Sequence, residues 1–275
     1  MSRFTSCRLG IAFLMVLAIP CISNANVYTI DQAGTFGNLD QTAGSVTGPQ
    51  NLRNNACVPT SVANGLIWLN NYQSVPNMII GNGYPTVNSL ITKMGTTAAG
   101  TSAANMYNGT IAYLGAAGQN VTPPASVFDF SNNPTESYLY NSLKNNRAVE
   151  FWVGWAVGGG AHSVTLTGIQ YDDTTNAGFV SFLDPFGPGQ GGAGNAVQIN
   201  NASFQAAANG GSIFINGGYT GGAAANGLDQ DNAALSNTGT IIFGMTEAVP
   251  EPVSIAFVAL ALMGLGHRPS RRTGK

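Results

Sequence analysis

The spacing of apolar positions changes along the chain, and the strongest helical pattern begins at Cys57. Val58, Val62, Leu66 and Leu69 follow it at intervals of four, four and three residues, which places them on one face of an α-helix. The proline in the first turn of this segment is compatible with a helix start. The pattern predicts a helix of roughly three turns that buries its apolar face and has Cys57 at its N-terminus.

Three weaker segments also have helical character. Residues 87–94 and 103–117 carry apolar positions at helical spacing, although glycines interrupt the surrounding sequence. Residues 136–145 form a short amphipathic pattern after Pro134, and a proline just before such a pattern is typical of a helix start. We expect three further helices in these segments.

From Ala148 onward the hydrophobic period becomes two, which is typical of β-strands. The predicted strands are residues 149–155, 163–171, 178–183, 212–216 and 240–245. Polar residues 172–176 separate the second strand from the third and predict a turn between them. Helices first and antiparallel strands second indicate a segregated α+β domain.

The composition limits the classes of partner that this chain can have. Only 8% of its 275 residues are charged, and 44% are hydrophobic. Between Asn26 and Val249 four Lys and Arg residues stand against eleven Asp and Glu residues. A nucleic-acid binder needs clustered cations to neutralise phosphates, so nucleic acid is excluded as a partner. Residues 26–49 are rich in Asn, Gln, Gly and Thr and are predicted to form a polar N-terminal arm.

The first 25 residues are interpreted as a secretory signal peptide. Arg3 and Arg8 precede the apolar run of residues 9–19, and the small residues Ser23 and Ala25 bracket the expected cleavage position. The alternative is an N-terminal membrane anchor, but the apolar run is shorter than the ~20 residues that span a bilayer. We expect cleavage after residue 25 and export of the remaining chain.

The last 27 residues, 249–275, form a tripartite tail. Pro250, Glu251 and Pro252 precede a short apolar segment, residues 253–266, and a basic cluster follows. This order closely resembles the PEP-CTERM sorting signal of Gram-negative bacteria. The resemblance implies that a short transmembrane helix holds the precursor in the inner membrane, basic end inside, until an exosortase cleaves it. The mature form would then be at the cell surface or extracellular; an ordinary C-terminal anchor is the alternative.

Removing both ends leaves a single cysteine, Cys57, and a single histidine, His162. A lone cysteine in an oxidising compartment cannot form an internal disulfide, so it is buried and inert, paired between molecules, or reactive. One cysteine and one histidine cannot build a thiolate zinc cage. We therefore predict no metal and no cofactor.

The position of Cys57 favours a reactive thiol. A helix N-terminus lowers the pKa of a cysteine because it places positive partial charge beside the sulfur. His162 opens the second predicted strand and Asp184 closes the third. If these two strands form an antiparallel hairpin, the start of one lies next to the end of the other, so His162 and Asp184 become partners.

Three segments in this order resemble the papain-like cysteine peptidases, especially the bacterial branch that includes bacteriocin-leader-processing peptidases. They are residues 54–61 (NNACVPTS), 160–169 (GAHSVTLTGI) and 182–185 (FLDP). The resemblance implies a papain-like domain over residues 50–248. In that fold N-terminal helices, with the nucleophile at a helix start, pack on a C-terminal antiparallel β-sheet.

The resemblance also implies roles for individual residues. Cys57 would be the nucleophile, His162 the general acid and base, and Asp184 the group that orients the imidazole. In that family a glutamine shortly before the cysteine supplies an oxyanion-hole donor. Here Gln50 lies seven and Asn51 six residues before Cys57, and the longer reach of Gln50 makes it the preferred donor of the two.

The predicted function is therefore that of an exported hydrolase that cleaves a peptide or related amide bond through an acyl-thioester. Its expected partners are a peptide or protein substrate, signal peptidase and exosortase as processing enzymes, and the inner membrane in the precursor. Two alternatives remain open. One is a non-catalytic structural or binding protein of the cell envelope or extracellular matrix on the same scaffold, which low charge and Asn/Gly/Thr-rich loops fit. The other is a transglutaminase-like acyl transfer.

Overall fold

The structure is a computed structural model. It describes residues 26–32, 36–72, 77–116, 128–155, 161–186, 195–206, 213–215 and 239–247. The predicted signal peptide and the predicted sorting tail both lie outside these residues. Within the described part of the chain, no helix has the length and apolar character needed to cross a membrane.

The described part of the chain contains five helices, all of which precede residue 148. They are α1 (Gln50–Arg53), α2 (Cys57–Tyr72), α3 (Tyr84–Met94), α4 (Ala103–Ala116) and α5 (Glu136–Lys144). The helix predicted to start at Cys57 is confirmed, as are the three weaker ones. Local signals set two of the boundaries: Thr135 caps α5 by accepting a hydrogen bond from the Tyr138 N–H, and Gly95 ends α3 in the left-handed conformation, with φ 60°.

Within the described residues, eight strands make up the sheet. They are β1 (Val27–Asp31), β2 (Phe128–Asn132), β3 (Ala148–Trp155), β4 (Ala161–Asp172), β5 (Ala177–Asp184), β6 (Val197–Ala206), β7 (Ile213–Ile215) and β8 (Gly239–Glu247). All five predicted strands are present as β3, β4, β5, β7 and β8. The sequence does not predict β1, β2 and β6. In β6 only Ala202, Phe204 and Ala206 are buried, which is too short an apolar alternation to stand out.

Strands β3 to β8 close on themselves through antiparallel pairing. Each pairs with the next in chain order, and β8 pairs back onto β3. Strand β1 extends this sheet by pairing with β4, and β2 extends it by pairing with β8. The α+β class, with helices and an antiparallel sheet, is confirmed.

Two hydrophobic cores follow from the alternation of side chains along the strands. Val149, Phe151 and Val153 of β3 belong to the core enclosed by the strands, where Phe151 meets Phe182 edge to face at 5.5 Å. Ala148 of the same strand belongs instead to the core that the helices share with the outer face of the sheet. The apolar face of α2 is buried in this second core, and each fully buried Val or Leu side chain contributes about 1.5–3 kcal/mol, so α2 is held firmly against the sheet.

The close approach of α2 to β3 depends on Gly65. A Cβ atom at this position would meet the Ala148 Cβ at 3.1 Å and would overlap the carboxyl group of Glu150. Glu150 is fully buried, so its side chain has little freedom to move aside. Gly65 therefore lets the helix and the strand pack at this distance.

The segment predicted as a polar arm, residues 26–49, is built into the domain where the structure describes it. Its first part is β1, and Leu39 and Val46 are buried against the helices. The buried Asn64 of α2 accepts from the Leu39 N–H at 2.8 Å and donates to the Leu39 carbonyl at 3.3 Å. The polar composition of this segment reflects groups that are hydrogen-bonded inside the protein as well as groups that face solvent.

Candidate active site

The position of Cys57 is set by two hydrogen bonds between α2 and β4. The Ser61 hydroxyl, one turn after Cys57, donates to the Ser163 carbonyl at 2.8 Å. The Thr165 hydroxyl donates in turn to the Ser61 carbonyl at 2.9 Å. Ser61, Ser163 and Thr165 are all buried, where such bonds are costly to break. The start of α2 is thereby held against the start of β4.

The β4–β5 hairpin brings His162 and Asp184 together. The pairing runs from Asp172 and Ala177 beside the turn to Thr165 and Leu183 near the other end. Nε2 of His162 lies 2.7 Å from Oδ1 of Asp184. This is the contact that an antiparallel hairpin of these two strands predicts.

The surroundings of Asp184 determine which imidazole nitrogen faces the thiol. Oδ1 of Asp184 also accepts a hydrogen bond from the Phe186 N–H at 2.8 Å, which orients the carboxylate. A carboxylate oxygen only accepts, so Nε2 of His162 carries the proton in this contact. Because Nε2 is engaged by Asp184, Nδ1 is the nitrogen available to Cys57.

Cys57 is partly exposed as a residue, and its thiol is hydrogen-bonded to His162. Burial raises the pKa of the thiol, whereas the hydrogen bond and positive charge of His162 lower it, as do the backbone N–H groups of Ser163 and Val58. The lowering effects are the larger, so the pKa of Cys57 lies below its ordinary value. The site favours the thiolate, which is the nucleophilic form.

The imidazole is perturbed in the opposite direction. Burial lowers the pKa of His162, but the charge and hydrogen bond of Asp184, and then those of Cys57, raise it from 6.5 to about 10. The lowered pKa of the thiol and the raised pKa of the imidazole both favour a Cys57 thiolate beside a His162 imidazolium.

Both residues predicted as oxyanion donors, Gln50 and Asn51, lie in α1. Gln50 donates through Nε2 to Oδ1 of Asn54 at 2.7 Å, and its Oε1 accepts from the guanidinium of Arg53. Asn51 is exposed, and its Oδ1 accepts from the next backbone N–H at 3.0 Å. In this arrangement the Gln50 amide is committed to Asn54, and that of Asn51 faces solvent.

A backbone donor is also available at the site. The N–H groups in the first turn of an α-helix have no acceptor within the helix, and Cys57 is the first residue of α2. Its N–H is thus placed to donate to an oxygen that approaches the sulfur.

One residue that the sequence does not single out is in direct contact with the loops on both sides of the site. Gln41 is fully buried, donates through Nε2 to the carbonyl of Asn54 at 2.7 Å, and donates through its backbone N–H to the carbonyl of Pro185 at 2.8 Å. No spacing rule connects a residue sixteen positions before the cysteine with the nucleophile. Only the tertiary fold reveals this contact.

Within the described residues, no group of three or more His, Cys, Asp or Glu side chains is arranged to hold a metal ion. No protein-family model matches the chain, and no curated protein matches its sequence. The geometry of Cys57, His162 and Asp184 is therefore the main basis for a functional assignment.

Proposed function

We propose that this chain is an exported thiol hydrolase of papain-like fold that cleaves a peptide or related amide bond. One observation carries the proposal: the thiol at the start of α2 is hydrogen-bonded to His162, whose Nε2 is bound by the buried Asp184. A nucleophile, a base in contact with it and a third group that orients the base form the arrangement used for covalent catalysis. The helix-then-sheet order supports the papain-like fold.

In the first half of the proposed reaction the Cys57 thiolate attacks the carbonyl carbon of the substrate. A carbon–sulfur bond forms, and the electron pair of the carbonyl double bond moves to oxygen, which faces the Cys57 N–H. When the tetrahedral intermediate collapses, the carbon–nitrogen bond breaks. His162 gives its Nδ1 proton to the departing amine, so an acyl-thioester and a neutral imidazole remain.

In the second half a water molecule resolves the thioester. The neutral His162 takes a proton from water as the oxygen bonds to the carbonyl carbon. The carbon–sulfur bond then breaks, and the carboxylic acid product leaves. The thiolate and the imidazolium are restored, and Asp184 stabilises the imidazolium in both halves.

The second oxyanion donor is the part of the site that depends on a local rearrangement. Gln50 is our preferred donor because of its reach, and it must exchange its contact with Asn54 for one with the substrate oxygen. Asn51 is the alternative. If Gln50 serves, Gln50→Ala lowers turnover by about 10²–10³, whereas Asn51→Ala leaves it nearly unchanged.

The rival function is that of a non-catalytic structural or binding protein of the cell envelope. The observation in its favour is the hydrogen bond between Gln50 and Asn54, since a glutamine held there does not donate to an oxyanion. In a protein of this kind Cys57, His162 and Asp184 would keep their arrangement but would not catalyse a reaction.

The proposed export and processing of this protein rest on the sequence signals in residues 1–25 and 249–275. Signal peptidase would remove residues 1–25, and an exosortase would process the tail around Pro250, Glu251 and Pro252 after inner-membrane insertion. The mature protein would then act at the cell surface or outside the cell. Because the mature part is acidic, cationic segments of a peptide or protein substrate would be favoured in the encounter.

Cleavage of a degenerate peptide mixture by the purified protein, followed by mass spectrometry, tests this proposal. We expect new peptide termini with the wild-type protein and none with Cys57→Ala, which should remain folded. A variant without the general base provides a second test: His162→Ala should cleave the peptides at least about a hundredfold more slowly than the wild-type protein. Equal cleavage by the wild-type protein and Cys57→Ala would end the proposal in favour of a contaminating activity.

A further inference from the structure

Gln41 joins the two loops that carry the ends of the triad. Its Nε2 donates to the carbonyl of Asn54 at 2.7 Å and to that of Arg53 at 3.2 Å, in the turn that leads into Cys57. Its backbone N–H donates to the carbonyl of Pro185 at 2.8 Å, next to Asp184. Gln41 therefore contacts both the segment just before Cys57 and the residue just after Asp184.

The orientation of the Gln41 amide follows from its neighbours. Both partners of the side chain are backbone carbonyl oxygens, which only accept, so the nitrogen of the amide must face them. Both Nε2 hydrogens are then in use, and Gln41 has no donor left for a substrate oxygen. Its contribution to the site is the position of other groups.

The carbonyl oxygen of the Gln41 amide supports a positioning role for this residue. Oε1 of Gln41 is buried and has no hydrogen-bond partner among the described residues. Burying an acceptor in this state is unfavourable, and an apolar side chain of equal length would avoid the penalty. The two donated hydrogen bonds are thus the property that a glutamine supplies at this position.

The segment that carries Gln41 is held in place by hydrogen bonds to α2 and by hydrogen bonds within the segment. Asn64 binds both the N–H and the carbonyl of Leu39, and its own carbonyl accepts from the Gly37 N–H at 3.1 Å. Asp40 accepts through Oδ1 from the N–H and hydroxyl of Thr42 at 2.7 and 2.8 Å. Gln41 therefore extends from a support that has little freedom to move.

We infer that Gln41 is a positioning residue of the proposed hydrolase, which sets the separation of Cys57 from the His162–Asp184 pair by holding the loop before the nucleophile and the loop after Asp184 together. The inference rests on the proposed function, because it assigns Gln41 a role in that same site. Loosening this link increases the distance between thiol and imidazole, and the ion pair between them weakens with distance. Gln41 acts through the triad and does not touch the substrate.

The test is the pH profile of iodoacetamide alkylation of Cys57, followed by mass spectrometry on the peptide that contains it, in wild type and in Gln41→Met. Methionine has a similar length and donates no hydrogen bond. We expect the alkylation rate of Gln41→Met at pH 6 to fall about tenfold, which corresponds to a rise of about one unit in the pKa of Cys57. At pH 9 and above the two rates should converge, because the thiol ionises there without help.

Gln205 provides a matched control. Its Nε2 donates to the carbonyls of Thr175 and Asn176, each at 3.0 Å, at the other end of the β4–β5 hairpin. Gln205→Met removes the same kind of side-chain link to a turn and should leave the alkylation profile unchanged. A profile of Gln41→Met that matches wild type, whatever its effect on thermal stability, would overturn the inference, since a purely structural role predicts that outcome.

Failure of the inference can be told apart from failure of the proposed function. If wild type already labels as an ordinary thiol and His162→Ala labels identically, the proposed function fails and the inference fails with it. If wild type labels rapidly at pH 6 and Gln41→Met does so equally, only the inference fails. Should Gln41→Met not fold, Gln41→Asn keeps a shorter amide; if that variant is also unfolded, Gln41 is a determinant of the fold and the inference is overturned.

Discussion

His162 and Asp184 are both buried, and Nε2 of the imidazole lies 2.7 Å from Oδ1 of the carboxylate. The residues stand 22 positions apart, at the start of β4 and the end of β5. The carboxylate is the largest of the effects that raise the pKa of His162, so its charge sustains the imidazolium that the thiolate needs. Three consequences of this arrangement and of the fold around it can be measured.

Removing the charge of Asp184 should lower the pKa of His162. In Asp184→Asn the side chain keeps its size, but the carboxylate charge that raises the pKa to about 10 is lost, while burial continues to lower the pKa. We expect an NMR titration of the His162 imidazole to move to a lower midpoint than in wild type. Asp173→Asn, in the exposed β4–β5 turn, should not shift it. An unchanged midpoint in Asp184→Asn would show that the carboxylate does not control the imidazole.

The protein should become less stable at alkaline pH because His162 loses its proton there. The pKa of His162 is raised on folding, so its contribution to stability is complete below 6.5 and is lost as the pH rises through about 10. The pKa of Cys57 is lowered on folding, so its contribution is present above its ordinary value and is lost as the pH falls through the lowered one.

Urea unfolding at a series of pH values measures this effect. The Cys57 contribution is complete above its ordinary pKa of 9.0, so we expect the free energy of unfolding of wild type to decrease between about pH 9 and pH 10. This decrease should be larger than that of His162→Gln, which keeps an amide donor for Asp184 but cannot carry a charge. Parallel curves for the two proteins over this interval would contradict the raised pKa.

Two helical glycines should respond in opposite directions to alanine. In α2, Gly65→Ala forces a Cβ atom against the buried Glu150 carboxyl and the Ala148 Cβ at 3.1 Å. Overpacking of this kind costs about 1–3 kcal/mol, which exceeds the gain of about 1 kcal/mol in helix propensity. We therefore expect Gly65→Ala to lower the free energy of unfolding.

In α4, a Cβ atom added at Gly115 would have no neighbouring atom within 4 Å among the described residues, so only the helix propensity changes. Gly115→Ala should raise the free energy of unfolding by up to about 1 kcal/mol. Chemical denaturation of the two variants side by side measures both effects. If both variants are stabilised, α2 does not pack on β3 this closely.

The parts of the fold that can be predicted from sequence are those that show a local period. The helix from Cys57 shows in the spacing of Val62, Leu66 and Leu69, and the β4–β5 hairpin in two apolar runs around a polar turn. The pairing of His162 with Asp184 follows from that hairpin alone. Such patterns need only neighbours in the chain, so they can be recognised without the tertiary fold.

The parts that sequence does not predict depend on distant partners. Strand β1 is only five residues long, and its place is set by pairing with β4 from Asp172 to Gly168. Gln41 and Asn64 look like ordinary polar residues until the fold places backbone groups around their amides. The role of Ser61 likewise becomes visible only when the fold places the carbonyl of Ser163 beside its hydroxyl. No local period marks a side chain whose partner lies far along the chain.

The most direct test of the central claim, that Cys57 and His162 form a thiolate–imidazolium pair, is the pH dependence of Cys57 alkylation by iodoacetamide in wild type and His162→Ala. Such a pair predicts rapid labelling of wild type near pH 6, where an ordinary thiol reacts slowly, and loss of that reactivity in His162→Ala. Slow labelling that follows the same ordinary-thiol curve in both proteins would contradict it and would favour a non-catalytic function.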